Sequence, residues 1–188
     1  MDTRQALLSA AAELVRVRGY SGFSYADLSV RIGIRKASIH HHFPSKEDLG
    51  LALIDQYTGD FSTALERITA TYSSPKEKLL AYANLYRESL QHGWGCLCGM
   101  LASDIEVVPA NVALGVHRFM DLNLDWLTRV VADGQRAGRL GADLQPASIA
   151  FTLLSVCQGA LLVARPTREI ASFDRAVNQI LTALIDRD

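Results

Sequence analysis

Short polar side chains dominate the segment KASIHHHFPSK, which runs from position 36 to position 46. Ile39 and Phe43 lie four residues apart, a spacing that places both on one face of a helix. We therefore predict a short helix over 36–43, ended by Pro44 because its ring disfavours helical geometry in the preceding residue. The opposite face would carry hydrogen-bonding groups: Lys36, Ser38, His40, His41 and His42. Such groups can bond to base-pair edges in the major groove of DNA.

A second short helix is predicted directly before this one. Ser24 and Asp27 have the spacing of a capping box, and apolar residues follow at helical intervals until Gly33, where we expect a turn. Two short helices joined by such a turn are typical of a helix-turn-helix, in which the second helix enters the groove and the first braces it. Lys46 and the helix start at Ser24 would then be placed to contact phosphates.

Two other interpretations of the histidine-rich segment remain open. The first is a plain three-helix core whose polar residues are only solvated. The second is a zinc site formed by His40, His41 and His42. Adjacent residues on a helix point about 100° apart, so three consecutive imidazoles do not converge on one ion, and we predict no metal site.

The run GYSGFSYADLSVRIGIRKASIHHHFPSKEDL, from Gly19 to Leu49, resembles the signature of the TetR family of bacterial transcriptional regulators. In that family the second helix opens with Thr or Ser, a Gly-Val/Ile turn follows, and an aromatic-His-Phe-x-x-Lys-x-x-Leu run closes the module. The stretch GQRAGRLGADLQPASIAFTLLSVCQGALLVAR resembles the end of the family's seventh helix and its eighth helix. The family often has Tyr at the position of His40. The resemblance implies DNA contacts by seven residues: Ser24, Arg35, Lys36, Ser38, His40, His41 and Lys46.

Hydrophobic residues recur at helical spacing along nearly the whole chain, and no run of alternating β-branched residues indicates a strand. We predict an all-α protein of about nine helices, with an N-terminal three-helix DNA-binding domain at 1–48 and a C-terminal ligand-binding and dimerisation domain at 49–188. The run Ser74-Pro75-Lys76-Glu77 predicts a capped helix start, and Ser172 is the expected cap of the last helix. Residues 1–50 carry seven Lys and Arg against five Asp and Glu, whereas 51–188 carry twelve against fifteen.

The C-terminal region contains no Gly-rich phosphate loop, HExxH or GxSxG motif, so we predict neither enzymatic activity nor a cofactor. Its helices are instead rich in aromatic and large apolar residues, many of which would simply form core. The TetR resemblance implies that some line a cavity for a small-molecule effector, with polar groups such as His117, Asp104 or Gln158 orienting it. The candidate lining residues are Tyr82, Tyr86, Trp94, Cys96, Cys98, Met100, Phe119, Trp126 and Gln158.

The three cysteines are an odd number, so a disulfide framework is not expected. Cys96 and Cys98 lie near the predicted start of helix six, where backbone amides favour a thiolate and lower the pKa of the thiol. One hypothesis is that either cysteine senses oxidants or electrophiles. The alternative is that both are small core residues. Cys157 lies within the apolar helix eight and is predicted to fill buried space.

Helices eight and nine carry more apolar surface than we expect one chain to hide. We predict a two-fold homodimer joined as a four-helix bundle, which the TetR resemblance also implies. A two-fold protein in turn predicts a palindromic DNA operator with half-sites about one helical turn, or a multiple, apart. The candidate interface residues are Phe151, Leu154, Leu161, Leu162, Phe173, Val177, Ile180 and Leu184.

Composition agrees with a globular protein: 49% of the 188 residues are hydrophobic, 21% are charged, and the net charge is -1. The N-terminus lacks the pattern of a secretion signal. The uncharged stretch 147–164 reaches the lower length limit of a membrane span, but its polar residues favour a buried helix. We therefore expect a cytoplasmic protein without a membrane partner.

Together these patterns predict a homodimeric one-component transcriptional regulator that acts as a repressor on double-stranded DNA. A small molecule or a cysteine modification in the C-terminal domain would shift helix four and release the DNA. The competing interpretation is an enzyme or ligand carrier whose N-terminal helices are only structural.

Overall fold

The computed structural model describes residues 2–141 and 144–185. Within these ranges all regular secondary structure is helical, which confirms the all-α prediction. The helices in chain order are α1 (Thr3–Arg18), α2 (Tyr25–Ile32), α3 (Lys36–His42), α4 (Lys46–Thr71), α5 (Pro75–Gln91), α6 (Leu97–Ser103), α7 (Ala110–Arg136), α8 (Pro146–Ala164) and α9 (Ile170–Ile185).

The predicted start and end of α2 are confirmed. The Ser24 hydroxyl accepts the amides of Ala26 and Asp27 at 3.2 and 3.4 Å, while the Asp27 carboxylate accepts the amide of Ser24 at 2.7 Å. These bonds form a complete capping box. Gly33 ends the helix at φ +77°, a left-handed conformation that glycine adopts without a steric penalty. The turn between α2 and α3 is therefore set by local sequence.

The predicted start of α5, with Ser74 as the N-cap residue and Pro75 as the first helical residue, is confirmed, but its side-chain cap and the predicted cap of α9 are wrong. The helix α5 begins at Pro75, but the Ser74 side chain makes no capping hydrogen bond. The helix α9 begins at Ile170, and Ser172 lies inside it with its hydroxyl bonded to the Glu169 carboxylate. The hydroxyl of Thr167 accepts the amide of Glu169 at 3.4 Å, so the chain is already turning ahead of Ser172.

The chain divides into two compact units, to which α4 and α7 each contribute residues on both sides of the division. The first unit comprises Met1–Asp60 with Cys96–Phe119, and the second comprises Phe61–Gly95 with Met120–Asp188. In the first unit α1 packs against α2 and α6, and α2 packs against α3. In the second, α8 and α9 pack together and both contact α5. This division concerns packing, and the boundary between functional domains after residue 48 stays a prediction.

The helix α8 is long and apolar enough to cross a membrane by length and composition alone, with a mean hydropathy of 1.9. Its inner residues pack within the second unit. Ile149, Leu153, Cys157 and Leu161 are all buried there. The opposite side of α8 is exposed, so the prediction of a buried helix holds for one face only.

Candidate nucleic-acid interface and effector site

The helix α3 has the two faces that its sequence predicts. Ile39 and Phe43 are 0% and 2% exposed. On the outer side Lys36, Ser38, His40 and His41 are exposed, as is Arg35 directly before the helix, whereas His42 is half-buried. A helix with apolar anchors inside and hydrogen-bonding groups outside is suited to insertion into a DNA groove.

Tyr25, which the sequence analysis passed over, braces the end of α3. Its hydroxyl lies 2.9 Å from the carbonyl oxygen of Phe43 and 2.6 Å from that of Ser45. Burial, together with the charge of Asp48 and a contribution from Tyr20, raises the pKa of Tyr25 to about 12. The hydroxyl therefore keeps its proton and remains a donor. The sequence feature that could have indicated this role is an aromatic residue directly after the N-cap residue Ser24.

The same corner of the molecule orients His40. Its ring centroid lies 4.8 Å from that of Tyr25, and its Nδ1 lies 3.0 Å from the carbonyl oxygen of Pro44. A carbonyl oxygen only accepts, so Nδ1 must carry the proton. In the neutral ring, Nε2 is then left as an acceptor.

Two hydrogen bonds hold the ammonium group of Lys46 against the loop between α1 and α2. Its Nζ lies 2.6 Å from the carbonyl oxygens of both Tyr20 and Phe23, and their rings lie 4.6 and 4.3 Å from the ammonium. Burial lowers the pKa of Lys46, against the opposing charges of Asp104 and Asp27. Since an ammonium has three N–H groups, one remains beyond these two internal bonds.

Asp104 holds the loop between α1 and α2 from another side. Its carboxylate accepts the amide of Ser21 at 3.1 Å. Gly19 has φ +81°, and a Cβ there would lie 2.7 Å from the Asp104 carboxylate. We expected Asp104 to orient an effector, but the structure places it at the end of α6 as a support of this loop.

Ser24 is exposed, but its hydroxyl is committed to Asp27. The Ser24 Oγ donates to the Asp27 carboxylate at 2.6 Å. This bond, the amide of Ser24 and, to a smaller extent, the charge of Arg18 lower the pKa of Asp27. The helix start therefore carries a negative charge beside the hydroxyl that was predicted to contact a phosphate.

Known proteins match this chain along nearly its whole length. The model for bacterial regulatory proteins of the tetR family matches residues 7–53, and the model for tetracyclin-repressor-like C-terminal domains matches residues 75–180. A solved TetR-family transcriptional regulator from Agrobacterium tumefaciens is 35% identical, with 97% of each chain covered and a TM-score of 0.93. The chain belongs to the TetR family of bacterial regulatory proteins. Its helix-turn-helix is thus a DNA-binding module for transcription regulation.

Two further relatives agree with this assignment. A TetR transcriptional regulator from Legionella pneumophila is 30% identical, with 98% of each chain covered and a TM-score of 0.89. The transcriptional repressor DhaR from Mycobacterium sp. (strain GP1) is 26% identical over 183 residues, which cover 97% of this chain and 92% of that protein. These relatives are transcriptional regulators.

The predicted effector residues of this TetR-family protein fall in both units. Those in the second unit include a buried aromatic cluster. Tyr82 donates its hydroxyl to the side-chain oxygen of Asn123 at 2.7 Å, and its oxygen lies 3.1 Å from the hydroxyl of Tyr86. The Trp126 ring stacks on Tyr82 with centroids 5.6 Å apart. Trp94 stacks on His92, and Gln158 on α8 is half-buried.

The other four predicted effector residues, Cys96, Cys98, Met100 and Phe119, belong to the first unit. There the hydroxyl of Tyr57 lies 3.7 Å from the Cys96 sulfur, and its ring centroid lies 5.3 Å from that of Phe119. The Arg16 guanidinium lies 5.9 Å from the Tyr57 ring. Sequence reasoning missed Tyr57, because a residue on the apolar stripe of α4 is indistinguishable from ordinary core.

Cys98 differs from the expectation of a lowered pKa. Cys98 is fully buried in α6, and burial, with the nearby Cys96 as a smaller cause, raises its pKa well above the ordinary value. The prediction for Cys98 is therefore wrong, because loss of water outweighs the amides of a seven-residue helix. Cys96 is the N-cap residue of α6. Cys157 is 3% exposed, and burial raises its pKa to about 12, as a space-filling role requires.

The predicted interface residues divide by exposure. Phe151 and Leu162 on α8 are 64% and 65% exposed, and the neighbouring Val163 is 76% exposed. Ile180 is half-buried. Five others are buried within the protomer and have little surface to offer a second chain: Leu154, Leu161, Phe173, Val177 and Leu184. They lie on α8 and α9, which pack against each other and against α5. Among the described residues no cluster of three or more metal-ligating side chains occurs.

Proposed function

We propose that this protein is a cytoplasmic repressor that binds a palindromic operator as a homodimer and leaves it in response to a small molecule or a cysteine modification. The outer face of α3 carries the proposal, since its exposed side chains are those that pair with base edges. Repression, rather than activation, is supported by the relative DhaR, which is named as a repressor.

The side chains of this face have different roles in the proposal. Arg35 and Lys36 bring positive charge to the phosphates and to guanine edges, and Ser38 and His41 read base edges. His40, with Nδ1 bonded to the Pro44 carbonyl, presents Nε2 as an acceptor. In the major groove it would face an amino group of cytosine or adenine.

Two residues outside α3 are proposed to contact phosphates. Lys46 would use its third N–H, while its other two hold the α1–α2 loop. Ser24 has to exchange its bond to Asp27 for a bond to phosphate. We expect Ser24 to contribute less than Lys46 for this reason.

The homodimer is proposed to form through the uncovered side of α8. Phe151, Leu162 and Val163 leave an apolar stripe on a helix whose other side is already packed. Gly159 lies on this exposed side, and a Cβ there would meet nothing within 4 Å of the same chain. A glycine in such a stripe allows the close approach of a second helix. Apolar stripes of this kind usually mark interaction surfaces.

Effector release is proposed to act through α4 and α6. The helix α4 runs unbroken from Lys46 to Thr71 and so includes residues of both units. Within the first unit, α6 is bounded by Cys96 and Asp104, and Asp104 holds the Ser21 amide. A chemical change at Cys96 that displaces α6 would therefore move the α1–α2 loop. Couplings between sites are typically about 1–3 kcal/mol.

The decisive experiment is fluorescence anisotropy with a labelled DNA fragment that flanks the protein's own gene. We expect a Kd on the order of 10 nM or tighter at physiological salt, and at least about 1000-fold weaker binding to an unrelated fragment of equal length. An enzyme or carrier with structural N-terminal helices would bind both fragments equally weakly, and this outcome would end the proposal.

The cysteine arm has its own test. The protein is treated with a thiol-modifying electrophile and its affinity for the flanking DNA is measured in the wild type, Cys96→Ser and Cys157→Ser. We expect modification to weaken binding in the wild type and in Cys157→Ser but not in Cys96→Ser. If a neutral small molecule releases the DNA while the electrophile has no effect on the wild type, release by cysteine modification is wrong. Release by a small-molecule effector then remains as the proposal.

A further inference from the structure

Three helices of the second unit enclose a groove of about 500 Å³. Residues of α4 and α7 form most of its lining, and Lys78 of α5 completes it. This volume lies within the range of small-molecule sites. Trp126 belongs to the predicted effector set, whereas the charged residues around the groove were not singled out by any sequence pattern.

The floor of the groove is apolar and its polar atoms are satisfied. Leu65, Trp126 and Val130 are at most 6% exposed. Trp126 stacks on Tyr82 and donates its Nε1 hydrogen to the hydroxyl of Thr69 at 3.0 Å, and that hydroxyl donates to the Leu65 carbonyl at 2.9 Å. The indole N–H is therefore already bonded, and Trp126, which stacks on Tyr82 and is 6% exposed, presents only a small part of its ring to the groove. Such a floor favours a flat or branched apolar group.

The charged groups of the groove lining balance in number, but they differ in which of them are ion-paired. Lys78 and Arg129 bring two cations, and Glu66 and Asp133 bring two carboxylates. Asp133 is ion-paired with Arg136. Across residues 2–141 and 144–185, neither Lys78 nor Arg129 forms an ion pair, and neither does Glu66. Two unpaired cations thus face one unpaired carboxylate.

We infer that this groove binds a small organic anion with an apolar body, such as an aromatic or branched carboxylate. The apolar body would lie on Trp126, and the anionic head would lie at the rim with Lys78 and Arg129. A neutral apolar molecule would gain nothing from these cations, and an organic cation would be repelled by them. The inference concerns binding to the free protein. Only the further step, in which the bound anion releases DNA, rests on the proposed function.

The first test compares two dyes of the same shape. Anilinonaphthalenesulfonate carries an aromatic body and one negative charge, and phenylnaphthylamine is its uncharged counterpart. We expect one bound sulfonate per chain by titration calorimetry, with an affinity about tenfold above that of the uncharged dye, the combined effect of two partly exposed ion pairs. Equal affinities for the two dyes would overturn the inference.

The second test changes the rim charges one at a time. Lys78→Gln and Arg129→Gln should each weaken sulfonate binding about threefold to fivefold, the value of one partly exposed ion pair, and leave the uncharged dye unaffected. Glu66→Gln should strengthen sulfonate binding about twofold to threefold because it removes the opposing charge. Because this dye also binds partly unfolded protein, each variant must keep the wild-type Tm and a stoichiometry of one sulfonate per chain for its affinity to count. Lys76→Gln on α5 and Arg67→Gln on α4 are matched controls, exposed and outside the groove.

The pattern of the variants decides between the groove and any other dye site. If Glu66→Gln leaves the affinity unchanged, or if the two controls weaken binding as much as the rim variants, the anion lies elsewhere and the inference is wrong. Operator DNA is then added as a separate readout. A dye that binds in the groove without releasing DNA would leave the groove assignment intact and contradict only the release step. Failure of the protein to bind any operator would contradict the proposed function alone.

Discussion

The helices α3 and α8 are built on the same plan but face different surroundings. Each buries one apolar side in its own unit, Ile39 in α3 and Leu153 with Leu161 in α8. The uncovered side of α3 carries imidazoles, a hydroxyl and a cation, whereas that of α8 carries Phe151 and Leu162. Burial therefore fixes how a helix lies, and the chemistry of the opposite side determines which partner it suits.

The difference follows from how each surface interacts with water. Hydrogen-bonding groups on α3 lose little by exposure and can exchange water for base edges. Burial of the apolar groups on α8 against a partner would stabilise the complex by about 25 cal/mol for each Å² of apolar surface removed from water. One face is thus suited to a hydrated groove in DNA, and the other to an apolar partner such as the proposed second copy of the chain. Each of the following changes alters one side of this comparison.

The largest effect is expected from Gly159→Arg. The new side chain fits the isolated protomer, because nothing lies within 4 Å of the added Cβ, but it places a charge and bulk in the proposed α8 interface. We expect a monomer in analytical ultracentrifugation. Operator affinity should fall at least about 100-fold, because two linked half-site contacts become independent.

The matched control is Gly59→Arg on α4, another helical glycine whose added Cβ would meet nothing within 4 Å. It should remain dimeric with unchanged operator affinity. A dimeric Gly159→Arg protein would show that the exposed side of α8 is not the interface. The claim that this side of α8 binds a second chain would then be wrong.

His41→Ala changes the polar side. His41 is exposed on α3, and we expect it to read a base edge rather than a phosphate. Its removal should cost about 1–3 kcal/mol at one operator position and relax the preference there, which a set of single-base operator variants would measure. Uniform weakening across all operator variants would instead make His41 a backbone contact. His42→Ala is a useful comparison, since that ring is half-buried.

A smaller effect on affinity, but one on all sequences, is expected from Lys46→Ala. Loss of one phosphate contact should weaken specific and non-specific DNA alike and reduce the slope of log K against log salt by about 1. The variant should also lower Tm, because Lys46 holds the carbonyls of Tyr20 and Phe23. Lys76→Ala, on the exposed side of α5, is the control. An unchanged salt slope with a lowered Tm would leave Lys46 a purely structural residue.

The sequence could predict α3 because its signals are local. A capping box, a left-handed glycine and two apolar residues four positions apart are sufficient to define α2, the turn and the buried side of α3. Each depends on neighbours within a few residues. The family signature spans the same segment. The bond between His40 and Pro44 and the inward turn of Lys46 could not be predicted, because they depend on how the loops fold back.

The aromatic and apolar residues of the C-terminal region show the limit of this approach. Tyr82 and Tyr86 are each at most 2% exposed, with the hydroxyl groups bonded to Asn123 or to each other, and their role as cavity lining stays a prediction. A tyrosine at helical spacing has the same sequence pattern whether it lines a cavity or completes a core. The same ambiguity affected Leu161 and Phe173, since only tertiary packing decides whether an apolar residue is covered by its own chain.

The smallest expected effect is a change in stability. It concerns the N-terminal caps, in which α2 and α8 differ. The helix α2 begins with a charged capping box at Asp27, whereas α8 begins at Pro146 without a side-chain cap. The bonds from Ser24 lower the pKa of Asp27 from its ordinary value of 3.8. A lowered pKa means that the carboxylate stabilises the fold above the unfolded pKa, and that this contribution is lost as pH falls through the folded pKa. Asp27→Asn should therefore lower Tm at pH 7, and the difference from wild type should shrink as the pH is taken below the ordinary aspartate pKa and through the lowered pKa of Asp27. Asp60→Asn, exposed on α4, is the control and should follow the wild type.

A Tm difference for Asp27→Asn that stays constant from pH 7 to acid would contradict this prediction. It would mean that the charge on the carboxylate contributes nothing to the start of α2. The neutral hydrogen bonds of the Asp27 side chain would then be sufficient.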